Sequence, residues 1–213
     1  MGVHATQLKS KATGQLVDAE LHDDLPLDCL FEAEELWAPE RVRFLRDCVH
    51  ASVKRNELPQ SVHWSWSLKA VSIPGFQLGP LSEYRLFGIK AEGVWQGLLI
   101  GRCIGHMSKL PPKPLELVYV DFVESAPWNW ELGKANRLPR FRGTGLQLME
   151  LAVRWSIDLG FQGRMGLHSL PQAESFYRDR CKMTDLGMDL VYKPPLRYFE
   201  FSKDQAKVFL GEV

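Results

Sequence analysis

The sequence has no excess of charge of either sign, because 26 Lys and Arg residues balance 26 Asp and Glu residues. A protein without a net positive field is not drawn to nucleic acid or to an anionic membrane surface, so either partner would require a local basic patch. No block of Lys and Arg, internal repeat or low-complexity tract is present. Neither nucleic acid nor a membrane is therefore expected as a partner.

Cysteine is also scarce, and hydrophobic runs are short. The four cysteines, at positions 29, 48, 103 and 181, are far apart and form neither a metal-like nor a redox pair. We therefore expect reduced, mostly buried thiols, no metal site and a cytoplasmic location. No run is long enough to span a membrane, and no early apolar segment is typical of a signal peptide.

The length of 213 residues suits one domain with its own core. We predict a single domain over residues 1–213, in which residues 1–36 are an N-terminal extension or first strand region. A hairpin is expected over residues 5–21, around Thr13-Gly14. The acidic segment 23–35 is expected to be an irregular connector.

Periodicity predicts a mixture of helices and strands. Pro39 is expected to open a helix that runs to about residue 55, with Val42, Leu45, Val49 and Val53 as its buried stripe. Residues 62–68 alternate, which favours a strand. The remaining predicted strands cover residues 84–91, 94–103, 115–124, 165–170, 187–193 and 196–201. A capping box at Ser202 predicts a last short helix.

The turn at residues 139–146, with the sequence PRFRGTGL, carries the clearest functional signal. It leads into a helix whose apolar stripe contains Leu148, Ala152, Trp155 and Leu159, with a cap at Gly160. Glycine lets a ligand approach the backbone, and the free N–H groups of a first helical turn favour an anion. Two arginines beside them would favour a phosphate. From spacing alone, a basic helix start that merely contains glycine is an equal alternative.

The pattern Arg140-x-x-Gly143-x-Gly145 resembles the pyrophosphate-binding signature of the GNAT superfamily, whose members are acetyl-CoA-dependent N-acetyltransferases. Residues 173–178, AESFYR, resemble the later motif of that family. The resemblance covers residues 83–201 and depends on the order of strand, turn, helix, strand and Phe-Tyr helix. It implies an α+β fold with a mixed, mostly antiparallel sheet that splays between its two central strands and is flanked by helices. It also implies a helix or turn over residues 62–68, which we favour over the strand.

The resemblance also implies an activity, a cosubstrate and site residues. The activity is direct transfer of an acetyl group from acetyl-CoA to a primary amine in a ternary complex. Tyr177 matches the family tyrosine that protonates the departing thiolate. The residues implied to contact acetyl-CoA are Phe122, Val123, Arg140, Arg142, Gly143, Thr144, Gly145 and Leu146.

The general base is open between two carboxylates. Glu116 matches a glutamate that some GNAT members carry early on the strand before the turn, and Glu124 lies nearer the splay. Alternation places both on one face of the predicted strand, and partial burial would raise either pKa towards neutral. Glu124 ranks first, a solvated carboxylate is the alternative for each, and His168 is a secondary candidate.

Other functions stay open. Leu170 and Cys181 replace residues that are frequent in the family, and about ten extra residues precede the turn. These departures favour a silent GNAT-fold module that binds acyl-CoA or a protein as the main alternative. An enzyme that acetylates aminoacyl-tRNA and an unrelated α+β domain are weaker ones. The sequence does not identify the amine acceptor, although aromatic residues in segments 58–82 and 125–138 hint at a partly apolar one. For the oligomeric state, a homodimer is one option.

Overall fold

The computed structural model of the protein describes residues 2–73, 82–111, 114–131 and 138–212. Nine strands form one mixed sheet, which is flanked by helices. The α+β fold class predicted from the resemblance is therefore confirmed. Within the described ranges, no helix has the length and apolar character needed to cross a bilayer.

The first half of the chain begins with a hairpin, as predicted. Strands β1 (Gly2–Ser10) and β2 (Leu16–Asp23) pair antiparallel, and β2 then pairs with β3 (Tyr84–Ala91). Helices α1 (Asp28–His50) and α2 (Trp66–Ser72) lie between β2 and β3 in sequence. Strand β4 (Val94–Arg102) follows β3 after the Glu92-Gly93 turn.

The second half carries the central parallel pair. Strand β5 (Val118–Ser125) is followed by the short strand β6 (Phe141–Arg142), helix α3 (Thr144–Asp158) and strand β7 (Met165–Ser169). A π-helical turn (Phe176–Arg180) precedes the hairpin of β8 (Thr184–Asp189) and β9 (Leu196–Phe201). The last helix is α4 (Lys203–Leu210). The strand order is β6-β1-β2-β3-β4-β5-β7-β9-β8.

Two compact units divide the chain by their internal contacts. The first comprises Met1–Leu98 and Val123–Leu148, and the second comprises Leu99–Phe122 and Met149–Val213. Strands β4 and β5 and helix α3 each contribute residues to both. In the first unit, α1 packs against α2 and against a 3-10 turn at Pro127–Asn129.

Several predictions made from the sequence are confirmed. The stripe of α3 is buried at the predicted residues Leu148, Ala152 and Trp155, although the predicted member Leu159 is 37% exposed. The capping box of α4 is present, with the Ser202 hydroxyl accepting from the backbone N–H of Gln205. Three of the four cysteines, at positions 29, 48 and 181, are buried.

Helix α1 differs most from its prediction. It begins at Asp28, so the segment expected to be an irregular connector is largely helical, and Pro39 lies inside the helix instead of opening it. Val42 and Val49, predicted to be buried, are 53% and 74% exposed. The stripe that faces the core instead consists of Cys29, Leu30, Ala33, Trp37, Arg41, Phe44 and Cys48.

The physical reason is that this stripe contains a charged residue. Arg41 is only 4% exposed, although arginine is normally treated as a surface residue. A stripe drawn through apolar residues alone therefore leaves out position 41 and assigns the buried face of the helix wrongly. Proline inside a helix removes one backbone hydrogen bond and costs about 3 kcal/mol. Burial of Trp37 and Phe44, both fully buried, offsets that cost.

Two shorter elements also have different bounds. The strand predicted over residues 115–124 begins only at Val118, so Glu116 lies before it and is exposed. Where the resemblance implied a Phe-Tyr helix, the chain forms a 3-10 turn at Pro171–Ala173 followed by the π-helical turn. Residues 62–68, for which a helix or turn was favoured, are indeed a 3-10 turn and the start of α2.

The register of α1 can be tested by a matched pair of substitutions. Phe44→Ala removes a fully buried ring that packs with Cys48 and Val62, and should lower the free energy of unfolding by about 3 to 5 kcal/mol. Val42→Ala, on the exposed face, should change it by less than about 0.5 kcal/mol. Urea denaturation measures both. Equal losses from the two variants would contradict this register.

Candidate functional site

The turn into α3 has an open backbone. Gly143 has a φ of 96°, a conformation that favours glycine, and a Cβ added there would meet no atom within 4 Å. Helix α3 begins at the next residue, Thr144. The turn therefore offers space directly in front of a helix N-terminus.

The donors of this first turn remain available. Among the described residues, no side chain accepts a hydrogen bond from the backbone N–H groups of residues 142–146. The hydroxyl oxygen of Thr144 is buried and also has no hydrogen-bond partner in the described part of the chain. A buried polar atom without a partner is costly, so it marks a position that a ligand or water would satisfy.

The two arginines of the turn differ in their surroundings. Arg140 is exposed and forms an ion pair with Glu92. Arg142 is exposed on β6 and forms no ion pair with any other residue that the structure describes. Arg142 is therefore the freer of the two guanidinium groups next to the open backbone.

Gly97 on β4 brings the end of β5 close to this turn. A Cβ at Gly97 would lie 2.6 Å from Cγ2 of Thr144 and 2.8 Å from Cδ1 of Leu148. It would also lie 3.2 Å from the backbone oxygen of Glu124. Gly97 lies in the interior of β4, where the lack of a side chain permits this close approach.

Glu124 is the central ionisable side chain of the first unit. It is 5% exposed, and its Oε2 atom accepts a hydrogen bond from the indole of Trp66 at 2.6 Å. The same oxygen lies 3.1 Å from Nη2 of Arg41. The other oxygen, Oε1, has no hydrogen-bond partner in the described ranges.

Burial raises the pKa of Glu124 to about 7 because the ionised form loses its hydration. The positive charge of Arg41 opposes this most, followed by the hydrogen bonds from Trp66 and Arg41 and by the nearby Ser61 hydroxyl. The result is a carboxyl group that exchanges its proton near neutral pH, which is what a general base requires.

Sequence reasoning missed most of the surroundings of Glu124. Arg41 and Glu34, which form an ion pair at 3.1 Å, lie on a helix whose register was predicted wrongly. Lys69 lies on α2, and burial lowers its pKa to about 8. Its ammonium group is 4.3 Å from the ring centroid of Trp64. In the sequence, the signal that could have indicated this cluster was Arg41, a charged residue at a helical spacing that otherwise holds apolar residues.

Aromatic rings enclose the same region. The rings of Trp66 and Trp128 meet the ring of Trp37 edge-on, at centroid distances of 6.1 Å and 6.5 Å. Of the aromatic residues suggested for the acceptor, Trp66 and Trp128 thus lie in this cluster, whereas Trp130 packs on Phe44. Phe76 lies outside the described residues.

In the second unit, β5 and β7 separate partway along their length. They pair in parallel from Val118 to Val120 and from Met165 to Leu167 only. Strand β5 continues to Ser125 and β7 to Ser169, which is the splay that the resemblance predicted. Phe122 and Val123, the predicted backbone contacts, are half-buried on the part of β5 beyond the paired residues.

Tyr177 lies in the π-helical turn of the second unit and is 5% exposed. Its ring packs edge-on against Phe176 at 5.2 Å and lies 5.8 Å from Phe199. Burial raises the pKa of its phenol well above the usual range. The side chain therefore stays protonated at neutral pH and keeps a proton to donate.

The remaining candidates have different environments. Alternation had predicted that Glu116 and Glu124 share one face of the strand. This is wrong, because Glu116 is exposed and lies before β5 begins. Both ring nitrogens of His168 are occupied, Nδ1 by the Tyr119 hydroxyl at 2.6 Å and Nε2 by Asp189 at 3.1 Å. Burial lowers the pKa of His168 although Asp189 acts to raise it. Within the described ranges, no group of His, Cys, Asp or Glu side chains could hold a metal ion.

No family model and no curated protein sequence matches the chain. Among solved structures, an uncharacterised protein from Bacillus halodurans matches with a TM-score of 0.53 and 8% identity, covering 98% of this chain and 95% of that one. A protein designated arylalkylamine N-acetyltransferase 7, from the yellow fever mosquito Aedes aegypti, matches with a TM-score of 0.52 and 12% identity, covering 94% of each chain. The chain has the GNAT fold. At these identities the likeness concerns the fold, and the site must be argued from its own residues.

The pKa of Glu124 within this fold predicts how stability depends on pH. In the unfolded chain the carboxyl titrates near its ordinary value, and in the folded protein at about 7. Between these values the folded state binds more protons, so the free energy of unfolding falls as pH rises. Glu124→Gln should remove this pH dependence. Between about pH 4 and about pH 8, the free energy of unfolding of the wild type should therefore fall by about 2 to 3 kcal/mol relative to that of the variant.

Chemical denaturation of both proteins across this pH range measures the difference. Glu116→Gln, at an exposed carboxylate, controls for loss of a negative charge. A constant difference between wild type and Glu124→Gln at all pH values would contradict a raised pKa.

Proposed function

We propose that the protein is an N-acetyltransferase that moves an acetyl group from acetyl-CoA to a primary amine by direct attack when both substrates are bound. One observation carries this proposal. The end of β5, which carries the buried Glu124 carboxyl with a pKa of about 7 and one unpaired oxygen, approaches the first turn of α3 through the backbone oxygen of Glu124, within a GNAT fold. A candidate anion site and the strand end that carries a candidate base thus lie in the same unit.

The turn residues fit the diphosphate of acetyl-CoA. Backbone N–H groups from Gly143 to Leu146 would hold it, because no described side chain already accepts from them and they precede the first bonded turn of α3, whereas Arg142 pairs with Lys9 of β1. Arg142 would add a charge-assisted hydrogen bond, and Arg140 would contribute if it left Glu92. The partnerless hydroxyl of Thr144 fits the same role. The backbone of Phe122 and Val123 is proposed to contact the pantetheine arm.

Acetyl-CoA, when bound, supplies an acetyl thioester. The Oε1 atom of Glu124 is proposed to take a proton from the ammonium group of the acceptor, directly or through a water molecule. The neutral nitrogen then forms a bond with the acetyl carbon as the carbon–sulfur bond breaks, the sulfur leaves as a thiolate, and the nitrogen releases its one remaining extra proton to water to give the amide. Glu124 is favoured over Glu116 because Glu116 is exposed and lies outside β5.

Tyr177 is proposed to return a proton to the thiolate. This role comes from the resemblance; the phenol is protonated at neutral pH, although burial raises its pKa and so makes it a weaker acid. The π-helical turn that carries it is a rare geometry that often occurs at functional sites. Tyr177→Phe should lower kcat while leaving the affinity for acetyl-CoA unchanged, and an unchanged kcat would remove Tyr177 from the mechanism.

Two measurements on the whole chain test the activity. Acetyl-CoA should raise the melting temperature, and a library of primary amines should then reveal thiol release. Stabilisation without thiol release for any amine would indicate the silent acyl-CoA-binding module instead. Absence of both effects would contradict the proposal.

Substitution of the base gives a sharper result. In the wild type, kcat should rise with pH around a midpoint near 7, because Glu124 must be ionised to accept a proton. Glu124→Gln should lower kcat about 100- to 10,000-fold, the usual contribution of a general base. Glu116→Gln serves as the matched control, and equal losses in the two variants would contradict the assignment.

The phosphate site predicts an effect on binding alone. Arg142→Ala should weaken acetyl-CoA binding about 10- to 100-fold, since a hydrogen bond to a charged group contributes about 1.5 to 3 kcal/mol. Arg154→Ala, at an exposed arginine later on α3, is the control. Isothermal titration calorimetry measures both, and unchanged affinity in Arg142→Ala would argue against this position.

A further inference from the structure

Arg41 connects two carboxylates inside the first unit. Its Nη1 atom is 3.1 Å from Oε1 of Glu34, and its Nη2 atom is 3.1 Å from Oε2 of Glu124. The Arg41 side chain is 5% exposed and that of Glu124 is 2% exposed. A guanidinium has a planar fork of donors, so it can hold two oxygens in fixed directions where an ammonium cannot.

Trp66 closes this arrangement into a ring of contacts. Its backbone N–H donates to Oε2 of Glu34 at 2.7 Å, and its indole donates to Oε2 of Glu124 at 2.6 Å. Glu34 therefore holds both of the groups that hold Glu124. These contacts form a closed ring that connects helices α1 and α2 to the end of β5.

The contacts on Glu124 are one-sided. The hydrogen bonds from Arg41 and Trp66 both reach Oε2, whereas Oε1 has no hydrogen-bond partner among the residues that the structure describes; the nearby Ser61 hydroxyl also favours the ionised carboxylate. Two bonds to one oxygen fix the orientation of the carboxylate and leave the other oxygen without a described donor. That arrangement suits a base whose partner arrives with the substrate.

We propose that Arg41, anchored by Glu34, is a positioning residue that fixes the Glu124 carboxylate by Oε2 and keeps it ionisable, so that Oε1 receives the proton of the acceptor ammonium. This inference rests on the proposed function, because it assigns a role within the same reaction. Arg41 touches neither substrate in this role and acts through Glu124.

The charged groups around Glu124 influence the pKa of its carboxyl, so the role of Arg41 can be measured through that pKa. The charged groups around it are Arg41 and Glu34 on α1 and Lys69 on α2, with the uncharged Ser61 hydroxyl nearby. On β4, the backbone of Gln96 accepts from the N–H of Ala126. Burial raises the pKa of Glu124, and Arg41 is the strongest influence in the opposite direction. Without Arg41, burial would act with less opposition and the carboxyl would stay protonated to higher pH.

Three variants separate charge from geometry. Arg41→Met removes the charge and the fork, Arg41→Lys keeps the charge without the fork, and Arg43→Met is the matched control. Arg43 lies two positions away on the exposed side of α1, with a side chain that is 71% exposed. The midpoint of Glu124 ionisation is read by carbon-13 NMR of the side-chain carboxyls, with its signal assigned by its loss in Glu124→Gln. The second readout is kcat against pH with an amine that the wild type acetylates.

The expected results differ between the variants. Arg41→Met should move the Glu124 midpoint up by about 1 to 3 pH units, and the acid limb of the rate profile should move with it. Arg41→Lys should leave the midpoint within about one unit of the wild type but lower kcat about 10- to 100-fold, because the carboxylate is no longer held in place. Arg43→Met should change neither.

Each alternative outcome has a distinct meaning. If Arg41→Met leaves the midpoint unchanged, or if Arg41→Lys retains full kcat, the positioning role is overturned. Should Arg41→Met fail to fold, Arg41→Lys decides the question by its kcat and its midpoint. A wild type that acetylates no amine would contradict the proposed function, yet the NMR titration would still show whether Arg41 controls the ionisation of Glu124.

Discussion

The burial of one carboxylate among indole rings is the constraint on which the candidate site depends. Removing an ionised group from water costs several kcal/mol unless partners replace the lost hydration. For Glu124 these partners are the Arg41 guanidinium and the Trp66 indole, and both bind the same oxygen. The compensation is incomplete, so the group ionises only near neutral pH. Because the compensation is incomplete, the carboxyl can take up and release a proton near neutral pH, as the proposed reaction requires.

The second half of the site follows from a close approach of backbone and helix. Since Gly97 has no side chain, Thr144 and Leu148 pack directly on β4 beside the backbone of Glu124. The open turn at Gly143 lies in the same unit as the buried carboxyl, so the proposed anion site and the proposed base belong to one compact part of the chain. Tyr177 belongs to the second unit and is placed by a separate element, the π-helical turn.

Several of these features could be predicted because they depend on neighbours in sequence. The hairpin, the strands on either side of Glu92-Gly93 and the capped last helix each follow from local turn or cap chemistry. Helix α1 could not, since its buried face includes Arg41, whose partner Glu124 is 83 residues away. An apolar count treats such an arginine as surface, and Pro39 then appears to be the natural start of the helix.

By itself, the sequence determined the order of elements, the glycine-bearing turn before α3 and the identity of the titratable candidates. These depend on backbone propensities and spacing, which act over a few residues. Only the tertiary structure showed that Glu124 is buried with a raised pKa while Glu116 is exposed, because burial and hydrogen bonding, and not residue type, set the pKa of a carboxyl. It also decided that Arg41 and Glu34 surround the candidate base, since this contact exists only when α1 packs against the end of β5.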